Sequence, residues 1–227
     1  MDKFLKVRKA LSIYKILKFT IFLQKMQLFY FGEVKMDKII VIAGPTGSGK
    51  TTVADYLKQQ YGVTQVITHT TRPKRENEQQ GVDYYFESDV TFEDNHFLEQ
   101  VRYSHYRYGS SFEGLRRAWK KTPIACIVLD TAGAITYFEQ LKDQVEVLFL
   151  TVDAESILKD RLLKRGDDPA VIAKRIDSPE YKRDMQLPAD LKGHATVIDN
   201  NDWEVTKQKL DQFYQDVKRK AENVQKD

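Results

Sequence analysis

The chain has 227 residues, 41% of them hydrophobic and 30% charged, which excludes a disordered tail and an integral membrane protein. A single cysteine, Cys126, excludes a disulfide framework and a multi-cysteine zinc site, and four scattered histidines argue against a dedicated metal cage. The net charge of +3 is uneven: residues 1–35 carry eight Lys/Arg against two acids, +6, which leaves −3 for the rest. That balance does not support a nucleic-acid-binding field over the body of the protein.

Residues 1–35 are apolar and basic. Lys25 ends the best apolar run, Phe19 to Leu23, and no small-residue cleavage site follows, so a signal peptide is not expected. Lys15, Lys18 and Lys25 interrupt every window long enough to span a membrane. An amphipathic surface helix is one reading. The other takes Met36 as the true start in a bacterial gene: the codons for Gly32-Glu33-Val34 can spell a purine-rich ribosome-binding site. The expected organisation is an extension over 1–35, not native to the fold, and one domain over 36–225.

After Met36 the pattern alternates. Strands are expected at 38–43, 64–68, 123–129, 145–151 and 195–199, and helices at 50–60, 111–121, 132–142, 154–165, 169–177 and 203–223. Such alternation implies an α/β fold, a mostly parallel sheet flanked by helices. The continuous apolar run Ile124–Leu129 reads as a strand buried on both faces, with Cys126 a small core residue. Residues 68–108 break the alternation, with Arg, Glu, Tyr and Phe but few aliphatics, and read as a small inserted lobe. Residues 161–190 are charged, carry Pro169, Pro179 and Pro188, and read as a mobile segment.

Gly44-Pro45-Thr46-Gly47-Ser48-Gly49-Lys50-Thr51 fits the phosphate-loop pattern G-x-x-x-x-G-K-[ST] and lies between a buried strand and a helix. Glycines let successive backbone N–H groups point at phosphate oxygens, and the helix adds its N-terminal dipole. Lys50 would reach the β- and γ-phosphates and Thr51 would ligate Mg²⁺. Downstream, Arg72 and Arg75 with Tyr84 can converge on a second phosphate. In isolation, a solvated basic loop explains that cluster equally well.

From Thr71 to Phe86 the chain resembles the guanylate kinase signature S-x-T-T-R-x-x-R-x-x-E-x-x-G-x-x-Y-x-F without a gap, Thr68 standing for the leading Ser. Phe97-Leu98-Glu99, Tyr108-Gly109-Ser110, Leu129-Asp130-Thr131-Ala132-Gly133, Arg161–Gly166 with Ile172–Arg175, and Val197–Asn200 continue the likeness over residues 38–215. The resemblance implies a phosphate-loop core with a nucleotide-binding lobe at 68–108 and an Arg-rich lid at 161–190. It implies that Arg72, Arg75, Tyr84 and Tyr108 hold the GMP phosphate, and that Glu99, Ser110 and Thr68 face the guanine. Guanine offers N1–H and its 2-amino group side by side, which one carboxylate can accept. Arg161, Arg165 and Arg175 would close over the ATP phosphates. Thr52 would join the ATP-binding loop and Asn200 would lie near the adenine.

Two departures stand out. Val128 replaces the first acid of the family's D-[IV]-D, which leaves acceptor and metal handling to Asp130, and Ala132 replaces its Gln. The lid is also one residue shorter and carries Pro169. The expected activity is Mg²⁺-dependent, cytoplasmic transfer from ATP to GMP or dGMP, by a monomer or homodimer with no nucleic-acid and no firm membrane partner. The alternatives are a catalytically weak nucleotide- or protein-binding module and a kinase for another purine monophosphate.

Overall fold

The computed structural model describes residues 36–222 except 77, 104, 105, 165 and 167. The expectations for residues 1–35 and for Arg165 therefore lie outside the described residues. In chain order the elements are β1 (Lys38–Ala43), α1 (Lys50–Tyr61), β2 (Thr64–Gln65), β3 (His69–Thr70), β4 (Tyr85–Phe86), α2 (Asp89–Glu93), β5 (Phe97–Tyr103) and β6 (Tyr106–Ser111). They continue as α3 (Phe112–Trp119), β7 (Ile124–Val128), α4 (Thr131–Leu141), β8 (Val145–Thr151), α5 (Glu155–Lys164), α6 (Pro169–Ile176), α7 (Pro179–Asp184), β9 (Ala195–Asp199) and α8 (Trp203–Glu222).

The main sheet has the order β2-β7-β1-β8-β9, and every pairing in it is parallel. β1 shows why such strands read as continuous apolar runs. Ile39 and Val41 face one core with Ile127, Phe149 and Tyr137, while Ile40 and Ile42 face another with Leu57, Leu148 and Phe213. Both faces are covered by helices, as parallel sheets require. Cys126 is fully buried in the second core and burial pushes its thiol up to about 12, so it is an inert packing residue.

β2 is shorter than expected. Val66 still donates its N–H to the Cys126 carbonyl, but the chain then leaves the main sheet for the lobe. The lobe is a second sheet, order β4-β3-β6-β5, that runs on to Ser111. Its core is aromatic where the main sheet is aliphatic: Phe92 stacks on Phe97 at 4.3 Å and His69 meets Phe97 edge-on at 5.6 Å. His69, buried, bridges Glu87 (Nδ1–Oε1 2.5 Å) and Ser111 (Nε2–Oγ 2.7 Å), so one ring ties three parts of the lobe together.

The described part of residues 161–190 holds short helices. Asp168 and Ser178 cap α6 and α7, and each is followed by proline at the first helical position, where a missing N–H costs nothing. The prolines therefore divide this segment into short helices. Among the described residues, no helix is long and apolar enough to cross a membrane.

Candidate functional site

The phosphate loop leaves β1 at its C-terminal end. Gly44, Gly47 and Gly49 take φ values of +133°, +84° and +97°. A Cβ on Gly44 would lie 2.4 Å from the Leu150 carbonyl oxygen, and one on Gly49 would lie 2.4 Å from Asn200 Nδ2. These two positions admit glycine alone, for conformation and for space. Lys50 Nζ donates to the Gly44 and Pro45 carbonyls at 2.6 and 2.9 Å, which holds its ammonium over the loop. Thr51 and Thr52 are exposed at the start of α1, and the Ser48 hydroxyl is buried without a partner.

Asn200 is 5% exposed, and its Nδ2 donates to the Ser48 carbonyl at 2.7 Å. Arg161 Nη2 donates to the Asn200 carbonyl at 2.7 Å. The Asn200 side-chain amide thus rests against the loop's backbone.

Arg72 is aimed by Glu78. Arg72 Nη2 donates to Glu78 Oε1 at 2.7 Å, and Glu78 Oε2 accepts the Arg75 N–H at 2.8 Å. The Arg72 hydrogen bond holds the Glu78 carboxyl below its usual range. The Arg72 guanidinium also lies 5.6 Å from the Tyr84 ring centroid. Arg75 itself is exposed. Tyr84 and Tyr108 meet edge-on at 6.2 Å.

Glu99 on β5 accepts from Ser110 Oγ on β6 at 3.1 Å, and Ser110 is fully buried. Burial, helped by the nearby Asp130 charge, pushes the Glu99 carboxyl up to about 7 against the pull of the Ser110 hydrogen bond. Asp130 caps α4, its Oδ1 accepting the Gly133 N–H at 2.7 Å.

A cavity of about 470 Å³ joins these parts. The loop contributes Thr46 and Lys50, the lobe contributes Thr68, Tyr84, Glu99 and Tyr108, and Val128 and Asp130 form its floor. Arg175 and residues of α7 (Glu180, Tyr181, Asp184) also line it. Sequence reasoning missed the α7 residues, and it did not foresee that Arg183 Nη2 pairs with Asp130 Oδ2 at 2.7 Å. The only local signal was the Ser178-Pro179 helix start.

Val128 brings no side-chain oxygen to the floor, and Asp130 is engaged by Gly133 and Arg183. Among the described residues no cluster of three or more His, Cys, Asp or Glu could hold a metal. With Thr51 exposed beside the loop, this donor set fits a hard cation that arrives on nucleotide phosphates and keeps most of its waters, rather than an all-protein cage.

The guanylate kinase family model matches residues 36–217. A guanylate kinase of Sulfurimonas denitrificans is 36% identical over 159 residues, 67% of this chain and 76% of its own. One from Bacteroides thetaiotaomicron is 32% identical over 177 residues, 75% of this chain and 84% of its own. Among solved structures, a guanylate kinase from Anaplasma phagocytophilum superposes with a TM-score of 0.59 at 20% identity, covering 84% of this chain and 89% of its own, which shows the shared fold. Loop, lobe, cavity and family match lead to one conclusion: the chain belongs to the guanylate kinase family.

Proposed function

We propose that this chain transfers the γ-phosphoryl group of ATP to GMP or dGMP, giving ADP and GDP or dGDP, in the cytoplasm. One observation carries the reading: Lys50 of the phosphate loop and Glu99 of the lobe line the same cavity. A donor triphosphate on the loop and an acceptor base at Glu99 would then share one space.

The chemistry asks for positioning and charge neutralisation more than for a base, because the attacking oxygen of GMP is already anionic. That oxygen attacks the γ-phosphorus in line, the bond to the β,γ-bridging oxygen breaks, and ADP leaves with that electron pair. Arg72, Arg75, Tyr84 and Tyr108 hold the acceptor phosphate; Glu99, with Ser110 and Thr68, accepts the guanine N1–H and 2-amino protons. Asp130, fixed at the head of α4, completes the acceptor side. Gly44 to Thr52 cradle the donor phosphates, with Lys50 neutralising the β- and γ-oxygens and Asn200 bracing the loop. Arg161, Arg165 and Arg175 stabilise charge on the transferring group. Thr51 would hold Mg²⁺, which when bound with ATP screens the phosphate oxygens from the attacking anion.

Adenine presents an acceptor at N1 and no 2-amino group, so AMP would leave Glu99 with the Ser110 hydroxyl as its donor and no base partner, and under-pairing a buried charged group costs more than the ~1–3 kcal/mol of a neutral one. The test is ADP release by the full chain with ATP, Mg²⁺ and GMP, dGMP, AMP, IMP, CMP or UMP in turn. Turnover confined to GMP and dGMP is the expected result. Binding of GMP without turnover of any acceptor would leave a nucleotide-binding module in its place.

A further inference from the structure

A hydrogen-bond network joins one edge of the cavity to the main fold. At the C-terminal end of α7, Arg183 Nη2 donates to Asp130 Oδ2 at 2.7 Å and Arg183 Nε donates to Thr131 Oγ1 at 3.0 Å. Asp184 Oδ1 accepts the Thr131 N–H at 3.1 Å and the Thr131 hydroxyl at 2.5 Å. It also accepts from Arg183 Nε at 3.1 Å. Thr131 is fully buried and the Asp184 side chain is 13% exposed. The network thus joins α7 to the first turn of α4, and Asp184 satisfies an N–H that a helix start otherwise leaves orphaned.

An isolated ion pair as exposed as Arg183–Asp130, with side chains 39% and 31% exposed, is worth little on its own. Its consequence lies in position. Asp130 and Glu99 are like charges on one cavity. Arg183 places a cation on Asp130 and holds its outer oxygen, while Gly133 holds the inner one. The phosphate loop has separate fastenings, Lys50 to its own carbonyls and Asn200 to Ser48. Two other charged clusters are already paired within the fold: Glu146 lies between Lys38 and Lys220, and His69 between Glu87 and Ser111.

We infer that Arg183 and Asp184 form a latch through which the lid helix α7 completes the acceptor pocket, so that affinity for the acceptor nucleotide depends on lid docking and affinity for the donor does not. Arg183 is a positioning residue acting through Asp130; Asp184 seats α7 on Thr131. The inference rests on the acceptor reading of this cavity.

The experiment measures GMP binding by calorimetry on the full chain, with kcat and KM for GMP and binding of a non-hydrolysable ATP analogue alongside. Arg183→Met is expected to weaken GMP binding at least tenfold. KM should rise more than kcat falls, and ATP-analogue affinity should stay within twofold. Arg183→Lys should recover part of the loss, since lysine restores the charge but not the fork that reaches Asp130 and Thr131 together. Asp184→Asn, which keeps the shape and weakens the Thr131 bonds, should move GMP affinity in the same direction and serves if Arg183→Met folds poorly. GMP binding unchanged in both variants overturns the latch. Tighter GMP binding also overturns it, because the pair would then obstruct the site. The unmodified chain reports on the parent reading separately: if it binds no GMP, the acceptor assignment falls and the latch with it, whereas normal binding that no variant alters removes the latch alone.

Discussion

The donor loop and the acceptor pocket are built on opposite plans. The loop is eight consecutive residues whose shape is set by the main chain: left-handed glycines, the Leu150 carbonyl behind one of them and Asn200 behind another. The pocket is made of side chains drawn from Thr68 to Asp184 and held by Arg72–Glu78, Ser110–Glu99 and Arg183–Asp130. Backbone geometry tolerates no substitution where a Cβ has no room. Side-chain geometry can be altered one bond at a time. Substitutions should therefore destroy the first and tune the second.

The largest effect is expected at Gly44. Alanine there combines a φ of +133° with a Cβ 2.4 Å from a backbone oxygen that cannot move aside. A loss on the order of 3 kcal/mol of stability, with no detectable ATP binding, is expected from urea unfolding and calorimetry. A Gly44→Ala protein of wild-type stability would mean that the loop is far more pliant than its contacts imply.

The second effect separates binding from stability at one side chain. Glu99→Gln removes an acceptor and puts an N–H₂ before guanine's donors, so kcat/KM for GMP should fall roughly 100-fold while ATP affinity is unchanged. The same change should stabilise the fold. The Glu99 carboxyl is raised in the folded chain to about 7, so between its unfolded value and 7 the native state holds the extra proton. Stability therefore falls as pH rises through that window and stays lower above it. Glutamine, having no charge to bury, should gain up to about 3 kcal/mol at pH 8. Loss of both activity and stability in this variant would show that Glu99 is structural.

Those two positions also mark what was legible in the sequence. β1 and β8 fall at the expected 38–43 and 145–151, because strands in a covered parallel sheet announce themselves as apolar runs, and the half-exposed edge strand β9 falls at the expected 195–199. The phosphate loop was legible because its chemistry is contiguous. The lobe's strands were not: β3 and β4 have two residues each, and their order comes from aromatic stacking and from His69 reaching Glu87 and Ser111. No period encodes such contacts. Glu99, Tyr108 and Ser110 were found by resemblance alone. Arg183 and Asp184 were missed because their partners, Asp130 and Thr131, lie more than fifty positions away and nothing local distinguishes this arginine from any charge on a lid.

A milder perturbation of the acceptor side needs no mutation. Glu99 must be ionised to accept two protons from guanine, so GMP affinity should fall as pH drops through about 7, by roughly tenfold between pH 8 and pH 6. The phosphate of GMP itself titrates near pH 6, so the measure is the ratio of wild-type to Glu99→Gln affinity across that range. The ratio should decline toward acid and level off near pH 8. A flat ratio would place the titration on the nucleotide and remove Glu99 from base recognition.

The smallest effect tests which end of the nucleotide Asn200 serves. Its Nδ2 is spent on the Ser48 carbonyl and its own carbonyl on Arg161, so its influence should reach ATP through the loop. Asn200→Ala leaves the Ser48 oxygen without its donor, a loss of about 1–2 kcal/mol in stability, and should weaken ATP a few-fold. A brace acts on every ligand the loop holds, so inorganic tripolyphosphate, which lacks a base, should weaken by the same factor as ATP. An adenine contact would act on ATP and spare tripolyphosphate. Equal loss for the two ligands assigns Asn200 to the backbone-built half of the site, and unequal loss returns it to the side-chain-built half.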